Sequence, residues 1–419
     1  MDSASSLDNL LIDTWWYGLS ARLDDARFEA LAQQRVREGF NAVQLVAGIP
    51  PEVAPGHAQA QSPVGLPWNM QAQINQEYLE FARQRIQRLN ELGLRVIVLG
   101  GWGMQIEWIG AAFMERWWQV LIEHLDDLDV IYCVTGEVDL WIDMPNLLMP
   151  NRSTDDLRGG AERNWRWLRR KVEKLAKKCL RAKTRLLQPY AEAHRKKTWG
   201  RVLKTIKQQG SHPVIVHTGG MPGAHSHNMI AHSELLDAVT VQTGHDRSST
   251  SLLWHLPVRL INEYQQRFIN LEPWYEGIRD DFFTEDQLFA YWCNMLAGAC
   301  SFAYGAHGVW NVGDGKFLAH WGAQTLEQAM QIETGSLLGK SHAYFLSHAG
   351  YDRDAVTKVV ERDGKLESIS RKFASGMMTF VPEVEAAVEV GAGEMFDPLS
   401  GEMLEQMPQK GPLLIWSPT

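Results

Sequence analysis

Short apolar runs alternate with longer segments of helical periodicity through most of the chain. The runs are Leu10–Ile12, Phe40–Val46, Leu94–Leu99, Val130–Val134, Val214–His217, Ala238–Gln242, Arg267–Glu272 and Ser301–Tyr304. Continuous apolarity predicts strands covered on both faces, as in a parallel sheet. Between them, Arg27–Gly39 carries Phe28, Leu31 and Val36 on one helical face, and Gln76–Leu92 carries Tyr78, Phe81, Ile86 and Leu89. Met114–Leu125, Ala161–Gln209, Leu252–Gln266, Glu285–Ala299 and Leu326–Phe345 read as helices in the same way. Eight strands in such alternation predict an α/β fold, a (β/α)8 TIM barrel. An open doubly wound sheet has the same rhythm, but it could not bring so many strand ends to one ligand. Here nearly every apolar run is followed at once by a reactive or aromatic residue: Asp13, Trp102, Glu137, His217, Gln242 with His245, Glu272, and Tyr304 with His307. In a barrel these ends converge on one face.

After about His348 the pattern changes. Val356–Val360, Leu366–Phe373, Met377–Val381, Ala387–Val390 and Leu413–Trp416 are short runs separated by Asp363-Gly364, Ser375-Gly376 and Pro398–Gly401. They predict a small C-terminal all-β, sandwich-like domain. The expected division is a catalytic barrel at 1–349 and the β domain at 350–419.

Composition narrows the partners. A net charge of −9 over 419 residues argues against nucleic acid. Met1–Asn9 is polar, without the cationic start and apolar core of an export signal, and no apolar run reaches membrane-spanning length, so a cytoplasmic protein without membrane association is expected. Cys133, Cys179, Cys293 and Cys300 form no CxxC pair and read as reduced and inert. The charge is uneven: Arg163–Gln209 holds 17 Lys and Arg against two Glu. A solvated outer helix explains this better than an acidic partner. Oligomeric state is not legible.

Glu137 and Glu272, at the ends of strands four and seven, are the candidate catalytic pair. Two carboxylates flanking a sugar are the equipment of glycoside hydrolysis, one protonating the leaving oxygen and the other attacking the anomeric carbon or activating water. Aromatic rings near strand ends (Trp15, Trp16, Trp102, Trp141, Trp274, Tyr275, Trp310, Trp321) offer faces for a sugar to pack on. His217, His225, His227 and His232 raise a metal-dependent hydrolase as an alternative, but their spacing is not that of a zinc site, and hydrogen bonding to sugar hydroxyls by His217 and His245 is the preferred use. A catalytically inactive carbohydrate-binding protein is the other alternative. With no Walker loop, dinucleotide fingerprint or nucleophile elbow, neither cofactor nor metal is expected.

Several ordered motifs resemble the apiosidase-like glycoside hydrolase family: Asp13-Thr14-Trp15, Gly39-Phe40-Asn41, Trp102-Gly103, Gln242-Thr243-Gly244-His245, Glu272-Pro273-Trp274-Tyr275-Glu276, and Tyr304-Gly305-Ala306-His307-Gly308-Val309-Trp310. They cover about residues 10–345. The tail with Phe396–Gly401 resembles the collagen-binding-like β domain that often follows such barrels. Thr135-Gly136-Glu137 stands where the family commonly has Gly-Gly-Asp. The resemblance implies a retaining glycosidase with Glu272 as nucleophile and Glu137 as acid/base; a chain without an export signal meets sugars only after import, so a short oligosaccharide or small glycoside is the expected substrate. The resemblance also implies a sugar pocket made by Asp13, Trp15, Gln44, Trp102, His217, Gln242, His245, Trp274, Tyr275, Tyr304, His307 and Trp310.

Overall fold

The computed structural model describes residues 3–140, 192–384 and 393–419. Eight parallel strands form the core: β1 Leu11–Trp15, β2 Ala42–Val46, β3 Arg95–Leu99, β4 Val130–Cys133, β5 Val214–Ile215, β6 Val239–Gln242, β7 Phe268–Glu272 and β8 Ser301–Tyr304. Their order, β5-β4-β3-β2-β1-β8-β7-β6, makes a nearly closed barrel. Among the described residues β5 and β6 share no ladder. They are joined instead by Asp237, whose N–H donates to the Val214 carbonyl at 2.9 Å and whose Oδ2 accepts from the Val214 N–H at 2.6 Å, and by the Thr240 hydroxyl on the Val216 carbonyl.

Local chemistry sets the helical layer. Asp24 caps Asp25–Arg37 by accepting from the Arg27 N–H at 2.9 Å, and Asn75 caps Gln76–Glu91 through the Glu77 and Tyr78 N–H groups. The expected helix Leu326–Phe345 is two helices, Leu326–Ala329 and Thr334–His348. At the break, the Met330 carbonyl accepts from Gln34 Nε2 at 2.8 Å, so it is satisfied without continuing the helix. Of the basic stretch, 192–209 is described and helical; Trp199, Val202, Leu203 and Ile206 are buried while Arg201 and Lys204 are exposed, as a solvated outer helix requires. Trp141, Cys179 and the rest of that stretch lie outside the described residues. Cys133, Cys293 and Cys300 are free and buried. No helix among the described residues is long and apolar enough to cross a membrane.

The C-terminal unit is one six-stranded antiparallel sheet, ordered β13-β12-β14-β11-β10-β9. Its strands are β9 Val356–Arg362, β10 Lys365–Phe373, β11 Gly376–Val381, β12 Glu394–Asp397, β13 Glu402–Leu404 and β14 Leu413–Pro418. The strand expected at Ala387–Val390 falls outside the described residues; β12 and β13, which pair across Pro398–Gly401, were not expected. The sheet's inner face lies on the barrel's helices. Phe380 meets Phe289, Phe396 stacks on Tyr344 at 4.4 Å, and Trp254 Nε1 donates to Glu361 at 2.8 Å. Ile369, Phe373, Met378 and Trp416 belong to the same continuous core as the barrel strands.

Candidate active site

The residue at the end of β7, Glu272, is 6% exposed, and two imidazoles bracket its carboxylate. His245 Nε2 donates to Oε1 at 2.8 Å. His217 Nε2 lies 3.1 Å from Oε2, too far off line to count as a hydrogen bond, so that oxygen has no hydrogen-bond partner. Backbone geometry sets both tautomers. The Glu137 N–H donates to His217 Nδ1 at 3.3 Å and the Tyr275 N–H to His245 Nδ1 at 3.2 Å, which leaves each ring proton on the Nε2 that faces Glu272. Burial pushes the Glu272 carboxyl up, but His217 and His245 outweigh it and pull its pKa down to about 2.

Glu137 follows β4 and has the opposite setting. Burial, then the nearby charge of Glu272, push its pKa up to about 8, against a hydrogen bond from Trp102 Nε1 to its Oε2 at 2.8 Å. Its φ of 41° is in the left-handed region, which costs a non-glycine residue about 1–3 kcal/mol and is commonest at functional sites. The Trp102 ring lies flat on Gly136, where a Cβ would come within 2.3 Å of it; Gly305 carries the Tyr275 ring in the same way, at 2.4 Å. Only glycine permits either approach.

Around this pair are Trp16, Tyr275, Trp310 and Gln242. Trp16 is edge-on to Trp102 at 5.3 Å and to His217 at 5.7 Å; Tyr275 lies 4.6 Å from the His245 ring and 6.3 Å from Trp310. Tyr275 is buried, and Glu272's charge adds to burial in holding its phenol well above the usual range. Besides His217 Nε2 and Glu272 Oε2, which face each other, three buried polar atoms here have no partner: Gln242 Oε1, the Tyr275 hydroxyl and Trp310 Nε1. Buried polar atoms in proteins are nearly always paired, so such a set is the complement of a hydroxyl-bearing ligand. A cleft of ≈ 450 Å³ opens beside them, lined by Glu137, Asp139, Gly219, Gly220, Gln242, Gly244, His245, Asp246, Arg279 and Trp321 among others.

Of the residues expected from sequence, Glu137, Glu272, Trp102, His217, Gln242, His245, Tyr275 and Trp310 are brought together. Asp13, Trp15 and Tyr304 are not. Successive strand residues face opposite sides, and these three point outward into the helical layer. Arg35 Nε pairs with Asp13 at 2.6 Å, Trp15 Nε1 also donates to Asp13 while its ring packs on Phe28, and the Tyr304 hydroxyl donates to Glu276. Trp274 likewise stacks on Phe282 at 4.8 Å and donates to Ser249. Gln44 is inside the barrel below the cleft, where its Nε2 holds Thr14 Oγ1 and the Leu271 carbonyl at 2.8 Å each. His307 is buried behind Trp310, and burial lowers its pKa to about 4. Alternation within Asp13-Thr14-Trp15-Trp16 would have selected Trp16 in place of Trp15. Asp139, Asp246 and Arg279, which follow no apolar run directly, carried no such signal. His225 and His227 pack on Tyr264 at 5.4 and 4.6 Å, and among the described residues no group of three or more His, Cys, Asp or Glu is arranged to hold a metal ion.

A parallel barrel with a carboxyl pair, aromatic rings and bare polar atoms at the C-terminal strand ends is the architecture of a glycoside hydrolase. Solved structures share the fold. A glycoside hydrolase family 5 protein from Bacteroides vulgatus ATCC 8482 superposes with a TM-score of 0.69 at 13% identity, over 97% of this chain and 88% of that one. Another glycoside hydrolase does so at 0.68 and 14%, over 97% and 92%. No curated protein matches the chain in sequence. The chain belongs to the apiosidase-like family, whose catalytic domain matches residues 10–338, and it is a glycosidase.

Proposed function

We propose that the protein is a retaining glycosidase in which Glu272 attacks the anomeric carbon and Glu137 serves as general acid and then general base. The observation that carries this reading is the contrast in the surroundings of the two carboxyls: imidazole Nε2 atoms stand 2.8 and 3.1 Å from the Glu272 oxygens, whereas Glu137 has the Trp102 indole and the charge of Glu272, which sets their pKa values apart, toward about 2 and about 8. Near neutral pH one is an ionised nucleophile and the other a proton donor, the division of labour a double displacement needs. His217 and His245 hold the nucleophile ionised and in place, one imidazole at each oxygen. Trp102 orients the acid. Trp16, Tyr275 and Trp310 supply ring faces, and Gln242 a polar contact. The cleft's volume is within the range of small-ligand sites, which supports a short oligosaccharide or small glycoside as substrate. We place the boundary between the catalytic barrel and the β domain near residue 350.

A panel of 4-nitrophenyl glycosides, pentofuranosides included, identifies the sugar, and NMR of the first product identifies its anomer. Retention is expected. Glu272→Ala abolishes turnover. Glu137→Ala loses most on poor leaving groups and is rescued by azide on activated ones. An inverted product, or equal loss on all leaving groups for Glu137→Ala, refutes the assignment.

A further inference from the structure

The cleft contains a carboxylate that the proposed chemistry does not use. Asp139 is two residues past Glu137, 5% exposed. One of its oxygens, Oδ1, accepts from the Gly219 N–H at 2.5 Å; the other, Oδ2, is buried without a partner. A buried carboxylate oxygen left bare costs more than a neutral group would, and because Asp139 lines the cleft a donor entering the cleft can reach it. Arg195, the nearby cation, uses Nη1 on the Asp139 carbonyl at 2.7 Å.

The surroundings have the shape of a slot. Gly219 and Gly220 follow β5 and Gly244 follows β6, and all three line the cleft. A Cβ on Gly219 would come within 3.2 Å of Asp139 Oδ1, and one on Gly220 within 3.2 Å of the Gly244 Cα. Side chains are absent where a flat ligand would lie. Opposite Asp139 is Gln242, 8% exposed, whose Oε1 is also bare. At the mouth, Trp321 carries the Arg279 guanidinium 4.7 Å over its ring. Glu137, the proton donor, lines the slot, whereas Glu272 is set deeper behind His245.

We propose that this slot is the subsite for the leaving group and that the leaving group is itself a sugar, whose hydroxyls donate to Asp139 Oδ2 and Gln242 Oε1. The inference rests on the proposed roles of Glu137 and Glu272, because it is the position of the acid that makes this the leaving-group side. Two buried acceptors select hydroxyl groups and disfavour an apolar aglycone, which would leave both acceptors unpaired. Asp139 is therefore a specificity residue. Its charge also helps hold the proton on Glu137, so its two effects must be separated by pH.

The test compares two substrates with the same reacting sugar, a 4-nitrophenyl glycoside and a disaccharide, in wild type and Asp139→Asn. Asn keeps the contact to Gly219 and removes the charged acceptor. kcat/KM is measured from pH 5 to 9, and the comparison is made on the acid side, where Glu137 stays protonated in both proteins. The expected result is a loss on the disaccharide about ten- to a hundredfold larger than on the aryl glycoside, the size of one charge-assisted hydrogen bond. Gly220→Ala, which narrows the slot without touching either carboxyl, should also lower disaccharide turnover more than aryl turnover. Equal losses on both substrates, or a change confined to the alkaline limb of the pH profile, overturn the subsite. Failure of the parent reading looks different: wild type would then cleave neither substrate, or would cleave both without needing Glu272.

Discussion

At the scale of single residues, the two glutamates bear opposite relations to stability. Glu137 has a folded-state pKa raised to about 8, so its stability contribution is full below the ordinary carboxylate range and is lost as pH climbs toward 8. Glu272 has its pKa lowered to about 2, so its contribution is present above the ordinary range and is lost as pH falls through about 2. Glu137→Gln should therefore raise stability near pH 8 by a few kcal/mol, at about 1.4 kcal/mol per pKa unit and reduced for its partial exposure to the cleft, with little gain at pH 4. Glu272→Gln should lower stability near pH 7. Urea titrations of both variants at pH 4, 7 and 8 check this, and a Glu137→Gln protein no more stable than wild type at pH 8 would show that the acid is not held protonated by the fold. Both variants are expected to lose activity under the proposed roles, in which case the acid is kept at a cost in stability that catalysis explains.

At the scale of elements, strand ends were legible and strand faces were not. Ser301–Tyr304 and the end of β7 at Glu272 came directly from apolar runs, since a parallel strand covered on both sides has no other composition available. That same uniformity hides which side each residue faces. Asp13 therefore read as a pocket residue, when it is fully buried against Arg35, itself 1% exposed. Glu38 takes the other arm of that guanidinium at 2.6 Å, and Thr334 donates to the adjacent Glu276 at 2.7 Å. This polar layer behind β1, β7 and β8 depends on contacts of strand ends with helices, Asp13 with Arg35 and Glu276 with Thr334, which no local pattern reveals. Its disruption should cost stability and not chemistry. Asp13→Ala leaves a buried cation short of its partner and should destabilise the protein by about 3–5 kcal/mol. On protein that remains folded, kcat should stay within a few-fold of wild type. A large fall in kcat with unchanged stability would return Asp13 to the pocket.

For the whole molecule, the C-terminal sheet has six strands yet shares its core with the barrel, through Phe380 on Phe289 and Phe396 on Tyr344. Polar contacts fasten its rim, with His348 on Glu394 at 3.0 Å and Thr357 on the Leu296 carbonyl at 2.7 Å. Truncation after Gly350 would expose those barrel helices and should give an insoluble or strongly destabilised protein, assessed by soluble yield and melting temperature. A soluble and fully active fragment would show the sheet to be an independent module. The family resemblance was carried by short motifs at the barrel's catalytic end, and the family's catalytic domain matches residues 10–338. Leaving-group recognition left no such trace, because Asp139 and the slot glycines are brought together by loops and not by a repeating pattern.

The unlaced joint between β5 and β6 has a consequence for motion. A ring with one weak link opens there first, so amides of Val214–His217 and Val239–Gln242 should exchange with deuterium sooner than those of β1, which is laddered on both sides. The two lips of that joint continue into Gly219 and Gly220 on one side and Gln242 and Gly244 on the other. A ligand lying across them would act as the missing rung. Exchange at the joint should then slow when a disaccharide binds the Glu272→Ala protein and stay unchanged with an aryl glycoside, making the joint a report on what has entered the cleft.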